Sequence, residues 1–261
     1  MGRVSFKTEP YLRRYWFNPV DRQDDEIQLH GNLYHHIVEV CRQKVGSRFE
    51  MFTEGGQVFL VEILGIQGKT ARAGIIETRN LPPLPRPSLH LAISLPKFST
   101  MEAVIEKSVE LGVFQVHPFV SEYSFLRKID RRLKEKAERW KRIVLSASQQ
   151  SGRGDLMCIS EPLALDKVLL NFSRRVQAGG VFPYEGKAPQ HLRQALEELK
   201  HQHLEELWLF VGSEGGYSTS EVELFKSFGL SPLTMGSQIL RVETACLAVV
   251  SILKYEWDLM M

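Results

Sequence analysis

Polar and apolar positions change their period partway along the chain. Up to about residue 80 the strongest signal is alternation. "RYWFN" (14–18) reads as a strand, and "SRFEMFTEGGQVFLVEIL" (47–64) reads as a hairpin turning at Glu54-Gly55-Gly56. "KTARAGIIE" (69–77) adds a further strand, and "LYHHIVEVCR" (33–42) is the one stretch with good helical spacing. Short strands at this density predict a small β-barrel.

From residue 88 onward, apolar strands alternate with helical patterns. "LHLAIS" (89–94) is followed by "FSTMEAVIEKSVELG" (98–112), where Ser99 and Glu102 have capping-box spacing and Gly112 supplies the stop. Next come the strand "FQVHPFV" (114–120), a long helix over 129–150 and a helix near 189–200. The buried-type strand "LWLFVG" (207–212) leads through "GSEGG" to a helix opened by Ser218 and Glu221, again at capping-box spacing. A short strand "PLTM" (232–235) precedes a last helix over 243–256. This alternation predicts a mostly parallel α/β sheet. Between the two patterns lies "LPPLPRP" (81–87), which holds four of the chain's twelve prolines. Proline lacks a donor and biases its predecessor toward extended backbone, so a stiff linker is expected here. The expected division is a small β domain over 1–80, a linker over 81–87 and an α/β domain over 88–261.

Composition narrows the class. The chain has 261 residues, 43% hydrophobic and 25% charged, which is ordinary for a globular protein. No apolar run reaches membrane-spanning length, and "MGRVSFKTEP" carries no signal-peptide core. Cys41, Cys158 and Cys246 are far apart and odd in number, so reduced thiols and a cytoplasmic location are expected. Net charge is only +2, yet "RKIDRRLKEKAERWKR" (127–142) holds nine Lys/Arg against three Asp/Glu. Such a run is more often a solvated helix face than a binding patch, unless a nucleic-acid substrate is argued independently.

Candidate chemistry sits where parallel sheets bind ligands, at the carboxyl ends of their strands. Two glycine-bearing loops leave strands there and enter helices: "VGSEGGYS" (211–218) and "MGSQILRVET" (235–244). Gly212, Gly215 and Gly216 permit a tight turn and close approach to a flat ligand, though they would equally serve a plain turn. Neither loop is a dinucleotide fingerprint or a P-loop, and Glu214 amid the glycines points away from phosphate. On its own, Arg241 reads as a surface residue, and Glu243 and Thr244 as the favourable start of a helix. His35-His36 and His201/His203 have no ligand cluster, so no metal site is expected, and no Ser-His-Asp arrangement is legible.

"GSEGGYSTSE" followed by "MGSQILRVETA" resembles the paired motifs of the RsmE family, the 16S ribosomal RNA uridine-N3 methyltransferases of the SPOUT superfamily. "KFSTMEAVIEKSVELGVFQVHPFVSEYS" resembles that family's first helix and second strand, and "RWKRIVLSASQQSGR" the helix ending in its A-x-E-Q-x-x-R type motif. "RYWF" and "HHIVEVCRQKVGSRFEMFTEGG" resemble its small barrel, with Arg42 at the family's arginine position. The resemblance covers essentially the whole chain. Ser213 stands where proline is usual, Met235 for leucine, Gln238 for arginine and Gln149 for glutamate.

The resemblance implies an α/β SPOUT-type parallel sheet with a C-terminal deep trefoil knot, preceded by a small PUA/OB-like β-barrel domain. It implies a homodimer that binds S-adenosylmethionine in the knot and acts on 16S ribosomal RNA or the assembled small subunit, with no membrane partner. One cofactor wall would be Gly212, Ser213, Glu214, Gly215 and Gly216. Across from it would lie Met235, Gly236, Ser237, Ile239 and Leu240, followed by Arg241, Thr244 and Ala245. Arg241 would be the catalytic residue, stabilising charge on the uracil carbonyls, with Glu243 a lesser candidate. RNA would be held by Arg14, Arg42 and Arg153 together with Lys128, Arg131 and Arg132. The aromatics of "RRYWF" would either stack on bases or fill the barrel core. Two alternatives stay open: a related methyltransferase acting on a different RNA, and an inactive RNA-binding or assembly protein.

Overall fold

The computed structural model describes residues 12–129 and 131–260. The opening stretch on which the expectation of no export signal rests, together with residues 130 and 261, lies outside them. The chain forms two compact units, one of Met1–Pro83 with Ser148–Leu156, the other of Leu84–Ala147 with Met157–Met261.

The first unit is built on a six-stranded sheet. Its strands are β1 (Arg14–Trp16), β2 (Arg22–Gln23), β3 (Glu26–Leu29), β4 (Arg48–Phe52), β5 (Gln57–Gln67) and β6 (Thr70–Asn80), in the order β1-β4-β5-β6-β3-β2. Only β1 with β4 is parallel; the other pairs are antiparallel. The expected hairpin turn lies between β4 and β5. The expected helix is α1 (Gly31–Tyr34) continued by a π-helical stretch, His35–Val40, in which the Cys41 N–H reaches back five residues to the His36 carbonyl at 2.9 Å. Tyr15 and Phe17 are buried in the core, packing edge-on against Phe49 and Phe59. Of the two readings of these aromatics, core filling is the one realised.

The second unit carries an eight-stranded sheet. Its strands are β7 (Ser88–Ser94), β8 (Gln115–Val120), β9 (Cys158–Ile159), β10 (Leu163–Ala164), β11 (Ala178–Pro183), β12 (Gln190–His191), β13 (Glu206–Val211) and β14 (Pro232–Thr234). The order is β10-β8-β7-β13-β11-β14-β12, with β9 also on β8, and every pair is parallel. The helices are α2 (Phe98–Glu110), α3 (Arg131–Ser151), α4 (Leu165–Ser173), α5 (Leu192–Lys200), α6 (Thr219–Ser227) and α7 (Val242–Glu256). Aromatic packing dominates the core: Phe182 stacks on Phe225 at 4.2 Å, and Phe210 meets Phe225 edge-on.

One cap differs from expectation. The N-cap of α2 is Lys97, with no side-chain cap, rather than Ser99. Glu102 is instead drawn to α3, accepting from Arg139 at 2.6 Å with Lys136 at 3.6 Å. The Arg139 hydrogen bond holds its carboxyl below the usual range. The α6 box is present in full. The Ser218 hydroxyl accepts from the Glu221 N–H, and the Glu221 carboxylate accepts from the Ser218 N–H.

Inside the sheet, Trp208 of β13 lies flat against His90 of β7 (4.7 Å between centroids) and His117 of β8 (4.3 Å). The two imidazoles share a hydrogen bond of 3.0 Å between His90 Nδ1 and His117 Nε2. Burial pushes both down, to about 4 for His90 and about 3 for His117, so the pair is neutral at physiological pH.

Candidate active site

The carboxyl ends of β7, β11, β13 and β14 all open onto one cleft of about 740 Å³. Three stretches line it: Pro183–Glu185 at the end of β11, Gly212–Tyr217 after β13 and Met235–Arg241 after β14, with Lys97 and Thr100 beside them. Both glycine loops singled out in the sequence therefore face the same space.

The β13 loop is tied down at Ser213, Glu214 and Gly216. Ser213 forms an isolated bridge with Gly216, whose N–H donates to the Ser213 carbonyl at 2.9 Å. The Ser213 hydroxyl donates to the Tyr123 carbonyl at 2.7 Å. Glu214 Oε1 accepts from the Lys97 N–H at 3.1 Å, so this carboxylate clamps the loop to the start of α2. Gly212 is needed for close approach, because a Cβ there would come within 3.1 Å of the Gly216 backbone. Gly216 has φ +68°, and the Glu185 carboxylate lies directly over its bare Cα. Behind the loop, Glu221 also accepts from the Glu122 N–H at 2.8 Å.

The β14 loop is built differently. Its internal ties are the two bonds between Thr234 Oγ1 and Gly236, at 3.1 and 3.2 Å. Gly236 takes φ +120°. Ser237, Gln238 and Ile239 are exposed, Ile239 at 83%. The loop is closed by Arg241, an exposed N-cap of α7 in extended backbone, with no side-chain cap bond of its own. Glu243 and Ala245 also line the cleft. Thr244 does not; it is exposed, on the first turn of α7.

Two buried groups nearby are neutral: Tyr217, which lines the cleft, and Cys246 of α7, which is buried and does not. Burial raises the Tyr217 phenol well above its ordinary value, with the Glu221 and Glu185 carboxylates adding to it. The Tyr217 hydroxyl is buried without a partner. Burial, then the Glu243 charge, raises the Cys246 thiol. The cleft thus combines glycine backbone, three carboxylates (Glu185, Glu214, Glu243), two cations (Lys97, Arg241) and the apolar faces of Met235, Ile239 and Leu240. Pro183, Tyr184 and Glu185 were not anticipated from the sequence, because the strand that delivers them was not.

Of the cations expected to hold RNA, Arg42, Lys128, Arg131 and Arg132 are exposed. Arg131 also pairs with Glu135 at 3.2 Å. Arg14 and Arg153 are turned to other duties. Arg14 donates to buried Glu50 at 3.1 Å, beside Arg79 at 2.6 Å. Arg153 is buried and forks onto Asp155 at 3.0 and 2.8 Å. Among the described residues no helix is long and apolar enough to cross a membrane.

A parallel sheet with its cleft at the strand ends, carried on the same chain as a small β domain, defines an α/β enzyme class with an accessory module. The RNA methyltransferase domain family matches residues 82–254, and the RNA methyltransferase PUA domain family matches residues 29–76. The chain belongs to the RNA methyltransferase family. Ribosomal RNA small subunit methyltransferase E of Buchnera aphidicola subsp. Schizaphis graminum is 31% identical over 233 residues, covering 88% of this chain and 91% of its own. The protein of that name from Bacillus subtilis is 27% identical over 261 residues, covering 95% and 98%. The same fold occurs in a ribosomal RNA small subunit methyltransferase E from Neisseria gonorrhoeae solved bound to S-adenosyl methionine. The TM-score is 0.79 at 23% identity, over 94% of this chain and 98% of that one.

Proposed function

We propose that this chain transfers a methyl group from S-adenosylmethionine to N3 of a uridine in 16S, small-subunit ribosomal RNA. The observation that carries the reading is the convergence of both glycine loops and Arg241 on one cleft, in a member of the RNA methyltransferase family. The residues fit the nucleoside. The volume falls within the usual range for small-molecule sites of roughly 300–1,000 Å³. Ile239 and Leu240 offer apolar surface to a purine, the glycine backbone admits a flat ligand, and the orphaned Tyr217 hydroxyl has a donor to spend.

When bound, S-adenosylmethionine supplies a methyl group on a positively charged sulfur. The chain's own work is then orientation and charge. Displacement at carbon needs the attacking nitrogen in line with the leaving sulfur, which the tied β13 loop favours by holding one wall fixed. Uracil N3 carries a proton that must leave before or during attack. Arg241, at the head of α7, stabilises the negative charge that then spreads onto the uracil carbonyl oxygens. Glu243, in the first turn of the same helix, is the lesser candidate for receiving the proton.

Phosphate contacts fall to the exposed cations Arg42, Lys128, Arg131 and Arg132, while Arg14 and Arg153 serve to hold carboxylates in place. The homodimer and the trefoil knot belong to the same proposal and rest on the family resemblance. A monomeric sedimentation profile would remove the first, and an experimental chain trace reaching Met235–Ala245 without threading a loop would remove the second.

The test uses small ribosomal subunits lacking the modification, the purified chain and labelled S-adenosylmethionine, with nucleoside analysis for 3-methyluridine. Labelled 3-methyluridine is the expected product. Label in another nucleoside would move the target atom. Cofactor binding without transfer would move the substrate to a different RNA.

A further inference from the structure

The segment after β8 reaches solvent in an unusual way. Residues 121–125 are pinned by their backbone. The Ser121 N–H donates to Ser124 Oγ at 2.7 Å, and the Glu122 N–H to Glu221. The Tyr123 carbonyl accepts from Ser213, and the Phe125 N–H donates to the Leu95 carbonyl at 2.9 Å. Underneath, Ser94, Ser121 and Ser124 form a closed ring of buried hydroxyls, with Oγ separations of 2.5, 2.9 and 3.1 Å. Yet this rigid segment turns two aromatic rings outward, Tyr123 at 43% and Phe125 at 52% exposed. A fixed backbone that leaves about half of each ring in water gains less for folding than burying them would.

Their surroundings identify what they suit. Tyr123 lies over Gly215 at the rim of the cleft, so close that a Cβ on that glycine would come within 2.7 Å of the Tyr123 Cβ. Phe125 meets Phe98 edge-on at 5.9 Å, and Lys136 Nζ sits 4.8 Å above the Phe98 ring. The same segment runs on through exposed Arg127 and Lys128 to Arg131 and Arg132 at the head of α3, and Lys97 flanks the cleft. Flat rings interleaved with cations match unpaired nucleotides, whose bases stack while their phosphates pair with Lys and Arg.

We propose that Tyr123, with Phe125 two residues further along the same pinned segment, is the stacking platform for an unpaired RNA nucleotide at the mouth of the cleft. This deepens the RNA methyltransferase reading and rests on it. It also moves base stacking away from Tyr15 and Phe17, which are core residues. Tyr123 is a positioning residue in this role, since it lies beside the cleft and not among its lining.

The test measures binding of a fluorescent single-stranded oligouridylate, and of an abasic ribose-phosphate strand of equal length, to the full chain over a salt series. Wild type is expected to prefer the oligouridylate by about tenfold, the scale of one stacked base. Tyr123→Ala is expected to erase that preference and leave the salt slope unchanged, while Tyr123→Phe keeps it. Tyr123→Leu retains packing on Gly215 without a π face, so it should hold S-adenosylmethionine normally and still lose the preference. An unchanged preference in Tyr123→Ala, or no preference in wild type, overturns the platform. Loss of self-association in Tyr123→Ala, with base preference intact, would overturn it in favour of a protein contact. If wild type methylates no ribosomal RNA but base preference still requires Tyr123, the platform stands and the methyl-transfer reading falls.

Discussion

The two walls of the cleft are made of similar residues and held in opposite ways. The β13 loop is bonded to α2, to the segment after β8 and to itself, with Glu221 behind it serving two backbones at once. The β14 loop carries its two Thr234–Gly236 bonds and then runs exposed to Arg241. One wall is a finished surface. The other leaves Ser237, Gln238 and Ile239 exposed, where a ligand can meet them, and an exposed arginine at its end. A preformed wall contributes orientation, since its freedom is already spent; an adaptable wall contributes contacts made only on binding.

The largest effect should come from the end of the adaptable wall. Arg241→Ala is expected to lower single-turnover methyl transfer about 100-fold or more, the scale of losing one charge-stabilising group. Cofactor affinity, read by calorimetry, should change far less. Normal turnover at saturating RNA and cofactor would remove Arg241 from the chemistry.

Breaking the preformed wall should instead cost stability and affinity together. Glu221→Ala leaves the buried Ser218 N–H and the part-buried Glu122 N–H without an acceptor, which costs about 2 kcal/mol and is read from urea unfolding. S-adenosylmethionine binding should weaken in parallel. Intact affinity despite lost stability would mean that the wall does not depend on its rear support.

A smaller effect follows from acid, through the strand that carries this wall. His90 and His117 pack against Trp208 of β13 and remain neutral down to about pH 4 and about pH 3, whereas the unfolded chain protonates its histidines near pH 6.5. Their contribution is complete above pH 6.5 and is lost as the pH falls through the window down to their folded values. Between pH 7 and 5 the stability should drop by about 2 kcal/mol or more, a range in which ordinary carboxylates stay ionised. Urea midpoints at the two pH values test this, and His117→Gln should flatten the dependence.

The smallest effect belongs to the exposed middle of the adaptable wall. Ile239→Ala should shift thermal stability by less than about 0.5 kcal/mol, as an exposed side chain does, while weakening cofactor binding by about 1 kcal/mol. A change in melting temperature without a change in affinity would reverse the assignment of the two walls.

Local patterns in the sequence were good guides wherever a single short-range rule decides the structure. The Ser218/Glu221 box, the Gly112 stop and the strand-to-loop transitions at Val211 and Thr234 all appear where their spacing places them. The Ser99/Glu102 box failed because Glu102 has a stronger partner in Arg139, 37 residues away. The interior strand β11 went unread because "AGGVFP" looks like a loop, with two glycines and a closing proline. Its glycines answer to packing: a Cβ on Gly179 would come within 2.7 Å of Leu204, and one on Gly180 within 2.9 Å of Leu230. With β11 went α4 before it and Glu185 after it. Arg241 is a different case, since spacing alone describes a surface residue and only the family motif gives it a task. Arg14 and Arg153 show the converse limit, because a cation's partner depends on folded neighbours that its sequence position does not disclose.

The pinning of residues 121–125 has a consequence for the order in which the molecule is made. The serine that fixes Tyr123 lies 90 residues downstream, and the glutamate that fixes Glu122 lies 99 residues downstream. A chain emerging from the ribosome can make the ties of this segment to Ser94 and Leu95 early, but lacks those at Glu122 and Tyr123 until Ser213 and Glu221 have been synthesised. Phe125 can settle against Leu95 and Phe98 early, whereas Tyr123 is set in place only after β13 arrives, so a growing chain completes the two ends of this rim at different times.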